Sequence, residues 1–133
     1  FVMVDETYEE FAPDAANMSS IPLTNNYTNL IVLRGISKFF AAPGLRLGYA
    51  VTGNPDLLKH INTKKNPWTI NSLAEIAGCI MFSDKEYIEK TKNLITTERE
   101  RMTNELSKLD TVKVYPSCTN FILKRRSHFR NDV

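Results

Sequence analysis

The sequence lacks several features that would point to common classes of protein. Two cysteines and two histidines among 133 residues are too few to indicate a disulfide framework or a metal site. Lysine and arginine number 17 against 15 aspartates and glutamates, so the net charge of +2 does not favour a nucleic-acid partner. No apolar run approaches the ~18 residues of a membrane span, and the first residues lack the basic segment of a signal peptide. These absences predict a cytoplasmic protein with no membrane, metal or nucleic-acid partner.

Apolar residues make up 42% of the chain, which is enough to build a hydrophobic core. Three short apolar segments lack polar alternation and therefore predict strands that are buried on both faces, as in a parallel sheet: 1–4, 30–33 and 47–52. Segments 112–115 and 120–124 predict two further strands joined by a turn.

Capping residues and apolar spacing predict three helices. Asn54 followed by Pro55 indicates the start of the first helix, and the second is expected over residues 72–82. Ser83 and Glu86 form a capping-box pattern that predicts the start of the third. At ~1.5 Å per residue this last helix is roughly 39 Å long, which suits a helix that joins two domains.

The residue that stands out chemically is Lys38, which follows segment 30–33 in a loop rich in glycine, proline and apolar residues. Burial disfavours an ammonium ion and lowers the pKa of a lysine, which suits an amine that attacks carbonyl groups. Eight residues later, Arg46 offers a planar fork of donors that suits a phosphate. The alternative is that both are surface cations beside an ordinary turn, and their spacing alone does not decide.

A second candidate pair lies near the start of the chain. Asp5 stands at the carboxyl end of segment 1–4, where ligands gather in open α/β sheets, and Tyr8 lies three residues further on. The alternative is that Asp5 caps a turn and that Tyr8 is half-buried packing.

Asp-x-x-Tyr after one strand and Ser-Lys-(seven residues)-Arg after the next resemble the aminotransferase class I/II family, which are pyridoxal-phosphate enzymes of fold type I. The motifs are carried by Asp5, Tyr8, Ser37, Lys38 and Arg46, and the resemblance covers essentially the whole chain. The most similar branch is that of the histidinol-phosphate aminotransferases and threonine-phosphate decarboxylases.

The resemblance implies a role for each of these residues. Lys38 would form the Schiff base with pyridoxal phosphate and later move the proton at the α-carbon of the substrate. Asp5 would pair with the pyridinium nitrogen and keep it protonated. Tyr8 would donate to the phenolate oxygen of the ring, and Ser37 and Arg46 would lie beside the phosphate.

One position departs from the pattern of the family. Three residues before Lys38 the family usually has Ser or Thr, whose hydroxyl helps to hold the phosphate, and here that position is Gly35. The loss of one donor is expected to weaken cofactor binding modestly without abolishing it.

The resemblance implies an α/β fold in three parts. Residues 1–83 would form part of the large, mostly parallel-sheet cofactor domain, 84–109 the connecting helix, and 110–133 the beginning of a small α+β domain. Because the chain starts in an apolar strand without an initiator Met, we expect an interior piece of a longer, homodimeric enzyme that is inactive by itself.

The implied function is that of a pyridoxal-phosphate-dependent aminotransferase acting on an amino acid, in particular one that bears a phosphate. A threonine-phosphate decarboxylase-like activity is an alternative, because the groups that orient the substrate carboxylate are expected beyond residue 133. A non-catalytic fragment or interaction module is another alternative. The joint presence of four motif residues argues against a degenerate protein: Asp5, Tyr8, Lys38 and Arg46.

Overall fold

The structure is a computed structural model that describes residues 1–126, and the chain divides into two compact units. The first unit contains residues 1–10 and 14–85, and the second contains 11–13 and the residues from 86 onward. The predicted small-domain segment, 110–133, therefore lies partly outside the described residues.

A three-stranded sheet forms the centre of the first unit, with the strands in sequence order: β1 (Val2–Asp5), β2 (Leu30–Gly35) and β3 (Gly48–Val51). β1 and β2 run parallel, with Asp5 opposite Leu33, whereas β2 and β3 run antiparallel, with Gly35 opposite Gly48. The α/β class is confirmed, and the sheet in this chain is mixed.

Only β2 has the burial that the sequence predicts for all three strands. Val32 is fully buried, whereas Phe1 is 84% exposed and Met3 is 65% exposed, and most of β3 is exposed as well. The prediction that segments 1–4 and 47–52 are buried on both faces was wrong for this chain. Within residues 1–126, β1 and β3 are the outer strands of this sheet, and each has a strand neighbour on one side only.

Short helices connect β1 to β2: a 3₁₀ helix over Glu9–Phe11, α1 (Ala15–Met18) and a second 3₁₀ helix over Ile21–Asn25. Two longer helices follow β3, α2 (Pro55–Lys64) and α3 (Ser72–Ser83). Their starts are as predicted, because an asparagine caps each one. The side chain of Asn54 accepts a hydrogen bond from the backbone N–H of Leu57 at 2.9 Å, and Asn71 accepts one from Ala74 at 2.8 Å.

The long third helix of the sequence prediction is α4 (Lys85–Ser107), with 23 residues. The predicted capping box is wrong, because Ser83 is the last residue of α3. Its hydroxyl donates backward, to the carbonyl oxygens of Cys79 at 2.6 Å and Ile80 at 3.0 Å. The hydroxyl is therefore bonded within α3, where the carbonyl of Ile80 also accepts from the backbone N–H of Asp84, and it does not cap the start of α4.

A two-stranded antiparallel sheet follows α4, made of β4 (Val112–Val114) and β5 (Lys124–Arg126). The first strand lies where it was predicted, but the second begins later than the predicted 120–124. Hydroxyl contacts fold the preceding residues into a turn, because Ser117 donates to the carbonyl of Phe121 and accepts from the N–H of Thr119. Within residues 1–126, no helix is both long enough and apolar enough to cross a membrane.

Candidate functional site

The predicted site residues follow the two parallel strands, β1 and β2. Asp5 is the last residue of β1, and Tyr8 lies just beyond it. Ser37 and Lys38 lie in the turn after β2. Because the carboxyl ends of parallel strands meet at one edge of a sheet, the structure brings the two motifs to the same edge.

The two motifs are in contact through Lys38 and Tyr8. The ammonium Nζ of Lys38 lies over the Tyr8 ring, 5.6 Å from its centre, which is within the range of a cation–π interaction. The Lys38 side chain is exposed, so the predicted desolvation of this lysine is not present in the structure. The reason is the direction of the turn, which buries Ile36 and Phe39 and leaves Lys38 facing outward.

Asp5 holds its carboxylate in a local turn. Its Oδ1 accepts hydrogen bonds from the backbone N–H of Thr7 at 2.9 Å and from the Thr7 hydroxyl. These two bonds lower the pKa of Asp5 below its usual value, and the bond from the Thr7 side chain has the larger effect. The group is therefore a carboxylate at neutral pH. Asp5 does cap a turn, as the alternative interpretation held, and both of these hydrogen bonds are made by the same carboxylate oxygen, Oδ1.

Ser37 and Arg46 line one cleft of about 220 Å³, together with Thr7, Gly35, Pro43, Leu47 and Gly48. Arg46 has a left-handed backbone with φ at 55°, and its Nη1 donates to the carbonyl of Pro43 at 2.9 Å. Within residues 1–126 the guanidinium makes no other hydrogen bond and the Ser37 hydroxyl makes none. The cleft therefore offers a cationic fork and a free hydroxyl, a donor set that suits an anion.

Gly35 borders the same cleft, and its backbone does not require a glycine. A Cβ atom added there would lie 3.5 Å from the carbonyl oxygen of Leu47 and 3.8 Å from the Cα of Gly48, both ordinary contacts. Its φ angle is not positive. A serine would fit at this position, so the departure from the family's pattern is not imposed by the fold.

Sequence reasoning missed a buried ion pair beside the site. Glu6, which is 8% exposed, accepts hydrogen bonds from Arg34 Nε at 3.0 Å and Nη2 at 2.9 Å. Burial raises the pKa of Glu6, but the backbone N–H of Ser20 and the Arg34 guanidinium outweigh it and lower the pKa below its usual value. A signal was present in the sequence, since Arg34 is a charged residue in an otherwise apolar strand.

Aromatic side chains pack beside this ion pair. Phe40 meets Phe39 edge-to-face at 5.2 Å and Phe82 at 5.4 Å, and Tyr49 meets Phe82 at 5.9 Å between ring centres. These contacts join β3 and the end of α3 to the turn that carries Lys38. In the part of the chain that the structure describes, no three potential metal ligands come together.

The chain is similar to proteins of one family. The sequence profile of the aminotransferase class I and II family matches residues 1–127. A histidinol-phosphate aminotransferase of Thermoanaerobacter pseudethanolicus is 45% identical over 122 residues, which cover 92% of this chain and 33% of that protein. The chain thus spans about a third of the length of the curated relatives that it matches.

Solved structures agree with the sequence comparison. The histidinol-phosphate aminotransferase of Clostridium acetobutylicum matches with a TM-score of 0.88 and 37% identity, over 94% of this chain and 37% of that one. The L-threonine-O-3-phosphate decarboxylase of Porphyromonas gingivalis matches with a TM-score of 0.76 and 28% identity, over 95% of this chain and 38% of that one. The histidinol-phosphate aminotransferase of Sinorhizobium meliloti was solved in complex with pyridoxal-5'-phosphate. It matches with a TM-score of 0.79 and 25% identity, over 90% of this chain and 32% of that one.

Proposed function

Because this chain belongs to the aminotransferase class I and II family, whose members use pyridoxal phosphate, we propose that it supplies one side of the cofactor site of an aminotransferase. Five residues would form that side: Asp5, Tyr8, Ser37, Lys38 and Arg46. The observation that carries the proposal is their placement at one edge of the sheet, where Lys38 lies over Tyr8 and the cleft at Ser37 and Arg46 offers donors to an anion.

The residues of the cleft fit the phosphate of this cofactor. Arg46 has guanidinium N–H groups left to donate after its bond to Pro43, and the Ser37 hydroxyl is free within the described residues. A planar fork and a hydroxyl are the donor types that bind phosphate oxygens. Thr7 also lines the cleft, but its hydroxyl already donates to Asp5.

The other three residues suit the ring end of the cofactor. Pyridoxal phosphate, when bound, supplies an aldehyde that takes up an amine and a ring that accepts electrons from the α-carbon of the substrate. The Asp5 carboxylate, with its lowered pKa, would hold the proton on the ring nitrogen. The Tyr8 hydroxyl would donate to the ring oxygen, and the Lys38 amine would bond to the cofactor and move the proton at the α-carbon.

The substrate we propose is an amino compound that bears a phosphate. Support comes from the relatives, since the histidinol-phosphate aminotransferases and the threonine-phosphate decarboxylase to which the chain is similar are both named for phosphate-bearing substrates. Amine transfer is the first candidate reaction because the higher structural similarity is to an aminotransferase. Decarboxylation is the second candidate, supported by the similarity to the Porphyromonas enzyme. The two reactions differ in which bond of the α-carbon stands perpendicular to the cofactor ring.

We also propose that the protein is a cytoplasmic homodimer. Both of its cysteines, Cys79 and Cys118, are free and exposed, which suits a reducing compartment. Large apolar side chains are exposed on and before α3, among them Leu73, Ile80 and Trp68, and such a surface favours association. Light scattering after size exclusion would give the mass of the full-length protein in solution.

The function is tested by loading the full-length protein with pyridoxal phosphate and adding L-histidinol phosphate with a 2-oxo acid, or O-phospho-L-threonine alone. We expect amine transfer to the oxo acid in the first mixture, and carbon dioxide release in the second if the decarboxylase alternative holds. Lys38→Ala should abolish turnover and Lys64→Ala should not, because Lys64 ends α2, outside the proposed site. Failure to bind the cofactor, or turnover that survives Lys38→Ala, would contradict the proposal.

A further inference from the structure

Glu6 lies in the sequence between two proposed cofactor residues, Asp5 and Tyr8, yet its side chain is buried at 8% exposure. Its carboxylate accepts hydrogen bonds from the Ser19 hydroxyl at 3.0 Å and from the backbone N–H of Ser20, as well as the two from Arg34. Four donors on one carboxylate leave it little freedom to turn. The residue thus joins the end of β1 to β2 and to the segment after α1.

Arg34 contacts the same segment at a second point. Its Nη2 atom lies 2.6 Å from a carboxylate oxygen of Glu9, whose side chain is 9% exposed. Glu6 and Glu9 stand on either side of Tyr8 in the sequence, so one guanidinium holds the chain before and after this tyrosine. Arg34 itself lies in β2, four residues before Lys38.

We propose that Arg34 is a positioning residue of this site, which fixes the segment of Asp5 and Tyr8 relative to the turn of Lys38 by binding Glu6 and Glu9. The inference rests on the proposed function, because it assigns the contacts of Arg34 with Glu6 and Glu9, which we call the Arg34 bridge, to the same cofactor site. Arg34 touches neither the Ser37 and Arg46 cleft nor, by any contact in residues 1–126, the ammonium of Lys38. Its effect is therefore transmitted through the backbone of the two segments.

Two physical arguments favour positioning over simple stabilisation. The ladder between β1 and β2 ends with the hydrogen bond from the Glu6 N–H to the Leu33 carbonyl at 2.9 Å, and beyond it the Arg34 contacts tie the segment to β2. A buried ion pair also contributes little net stability compared with apolar residues of the same volume. A planar, two-point contact instead fixes the orientation of both partners.

The test compares variants in the full-length protein. Arg34→Lys keeps the positive charge but loses the planar fork, and Glu9→Gln is a milder second variant that removes one of its partners. Arg101→Lys is the matched chemical control, because Arg101 makes the same kind of two-point contact with Glu98 on the exposed side of α4, at 2.8 and 2.7 Å. Val32→Ala is the control for lost stability, since Val32 is fully buried in β2.

The first measurement needs no cofactor. In the cofactor-free protein, a nuclear Overhauser effect is expected between the ε-methylene protons of Lys38 and the ring protons of Tyr8, because the adjoining Nζ of Lys38 lies 5.6 Å from the centre of the ring. We expect Arg34→Lys and Glu9→Gln to weaken it, and Arg101→Lys and Val32→Ala to retain it. An effect that is absent from the wild type, or unchanged in folded Arg34→Lys and Glu9→Gln, would overturn the positioning role.

The second measurement uses pyridoxal phosphate itself. We expect Arg34→Lys to weaken cofactor binding about tenfold, by analogy with residues that orient metal ligands, and to alter the visible circular dichroism of the bound cofactor. Val32→Ala should lower the unfolding midpoint but leave the cofactor affinity and the visible circular dichroism unchanged. If Val32→Ala changes the cofactor affinity and the circular dichroism as Arg34→Lys does, the Arg34 bridge only stabilises the fold. If the wild type does not bind the cofactor, the proposed function fails, while the cofactor-free measurement still decides the geometry.

Discussion

The ammonium of Lys38 lies 5.6 Å from the centre of the Tyr8 ring, although the two residues follow different strands. An exposed cation–π contact contributes about 0.5–1 kcal/mol, so it orients the lysine without holding it firmly. Lys38 is exposed in this arrangement, and its amine is accessible to an incoming aldehyde. The contact places the two functional groups together before any ligand arrives.

Lys38 is expected to carry the covalent link to the cofactor. It is the lysine that the structure places beside Tyr8 at the edge of the sheet, whereas Lys64 and Lys65 lie at the end of α2. Borohydride reduction of the cofactor-loaded, full-length protein, followed by peptide mapping, should place the label on Lys38. A label on Lys64 or Lys65 would contradict the assignment.

Asp5→Asn is expected to lower kcat by on the order of 100-fold or more, which corresponds to about 3 kcal/mol of barrier. The amide cannot hold the proton on the ring nitrogen by charge, although it keeps the shape of the carboxylate. The fold should stay intact because Asp5 is exposed. Steady-state kinetics would measure kcat, and far-ultraviolet circular dichroism would show whether the fold is intact. Turnover close to that of the wild type would remove Asp5 from the site.

Gly35→Ser is expected to tighten pyridoxal phosphate binding without loss of stability. The added Cβ atom has room, since its nearest contact is the carbonyl oxygen of Leu47 at 3.5 Å, and position 35 lines the cleft that contains Arg46. A hydrogen bond to a charged group contributes roughly 1.5–3 kcal/mol, so even a partial gain is measurable as a lower Kd.

Gly44→Ser is the matched control for this change. A Cβ atom at Gly44 meets nothing within 4 Å, and Gly44 does not line the cleft. Its Kd for the cofactor should match that of the wild type. If Gly35→Ser leaves the Kd unchanged at equal stability, position 35 does not face the phosphate.

Glu6→Gln is expected to destabilise the fold in a way that depends on pH. The pKa of Glu6 is lowered in the folded protein, so between the folded and unfolded pKa values the unfolded state binds the proton more readily. The stabilising contribution is complete above the usual value of 4.5 and is lost as the pH falls through the lower, folded value.

The expected loss in Glu6→Gln is about 1.5–3 kcal/mol of unfolding free energy at pH 7, because hydrogen bonds to a charged group are lost. The difference from the wild type should shrink as the pH falls below 4.5 and through the lower pKa of the folded protein, which urea unfolding at several pH values would show. Glu98→Gln is the exposed control and should change the unfolding free energy little. A difference that is the same at every pH would show that charge is not the cause.

The 133-residue chain by itself is expected to bind pyridoxal phosphate weakly, to show no turnover and to self-associate. It spans about a third of the length of its curated relatives, and its large exposed apolar side chains include Phe1, Met3 and Ile80. Titration with the cofactor, followed by its visible absorption, and sedimentation at several concentrations would test this. Tight stoichiometric binding with turnover would show instead a self-sufficient enzyme.

The starts of α2 and α3 and the class of the fold could be predicted from the sequence because their causes are local. An asparagine cap acts on an N–H three residues away, and Asn54 and Asn71 do so in this structure. The site residues could be named because the two motifs resemble those of the aminotransferase family; their spacing alone did not decide between a site and surface cations beside a turn. Their roles remain proposals, which the labelling and substitution experiments above address.

What the sequence by itself determined is the short-range pattern: the two motifs and the strands they follow. Tertiary structure decided the rest, because burial and pairing depend on residues that are distant in the chain. In the folded protein the Ser83 hydroxyl donates to a carbonyl of α3, and Lys38 is exposed. The second strand after α4 begins later than predicted, because Ser117 bonds to Phe121 in the turn before it. Tertiary structure also joined Arg34 of β2 to Glu6, the residue after β1, and the two meet because β1 and β2 run parallel and end at the same edge.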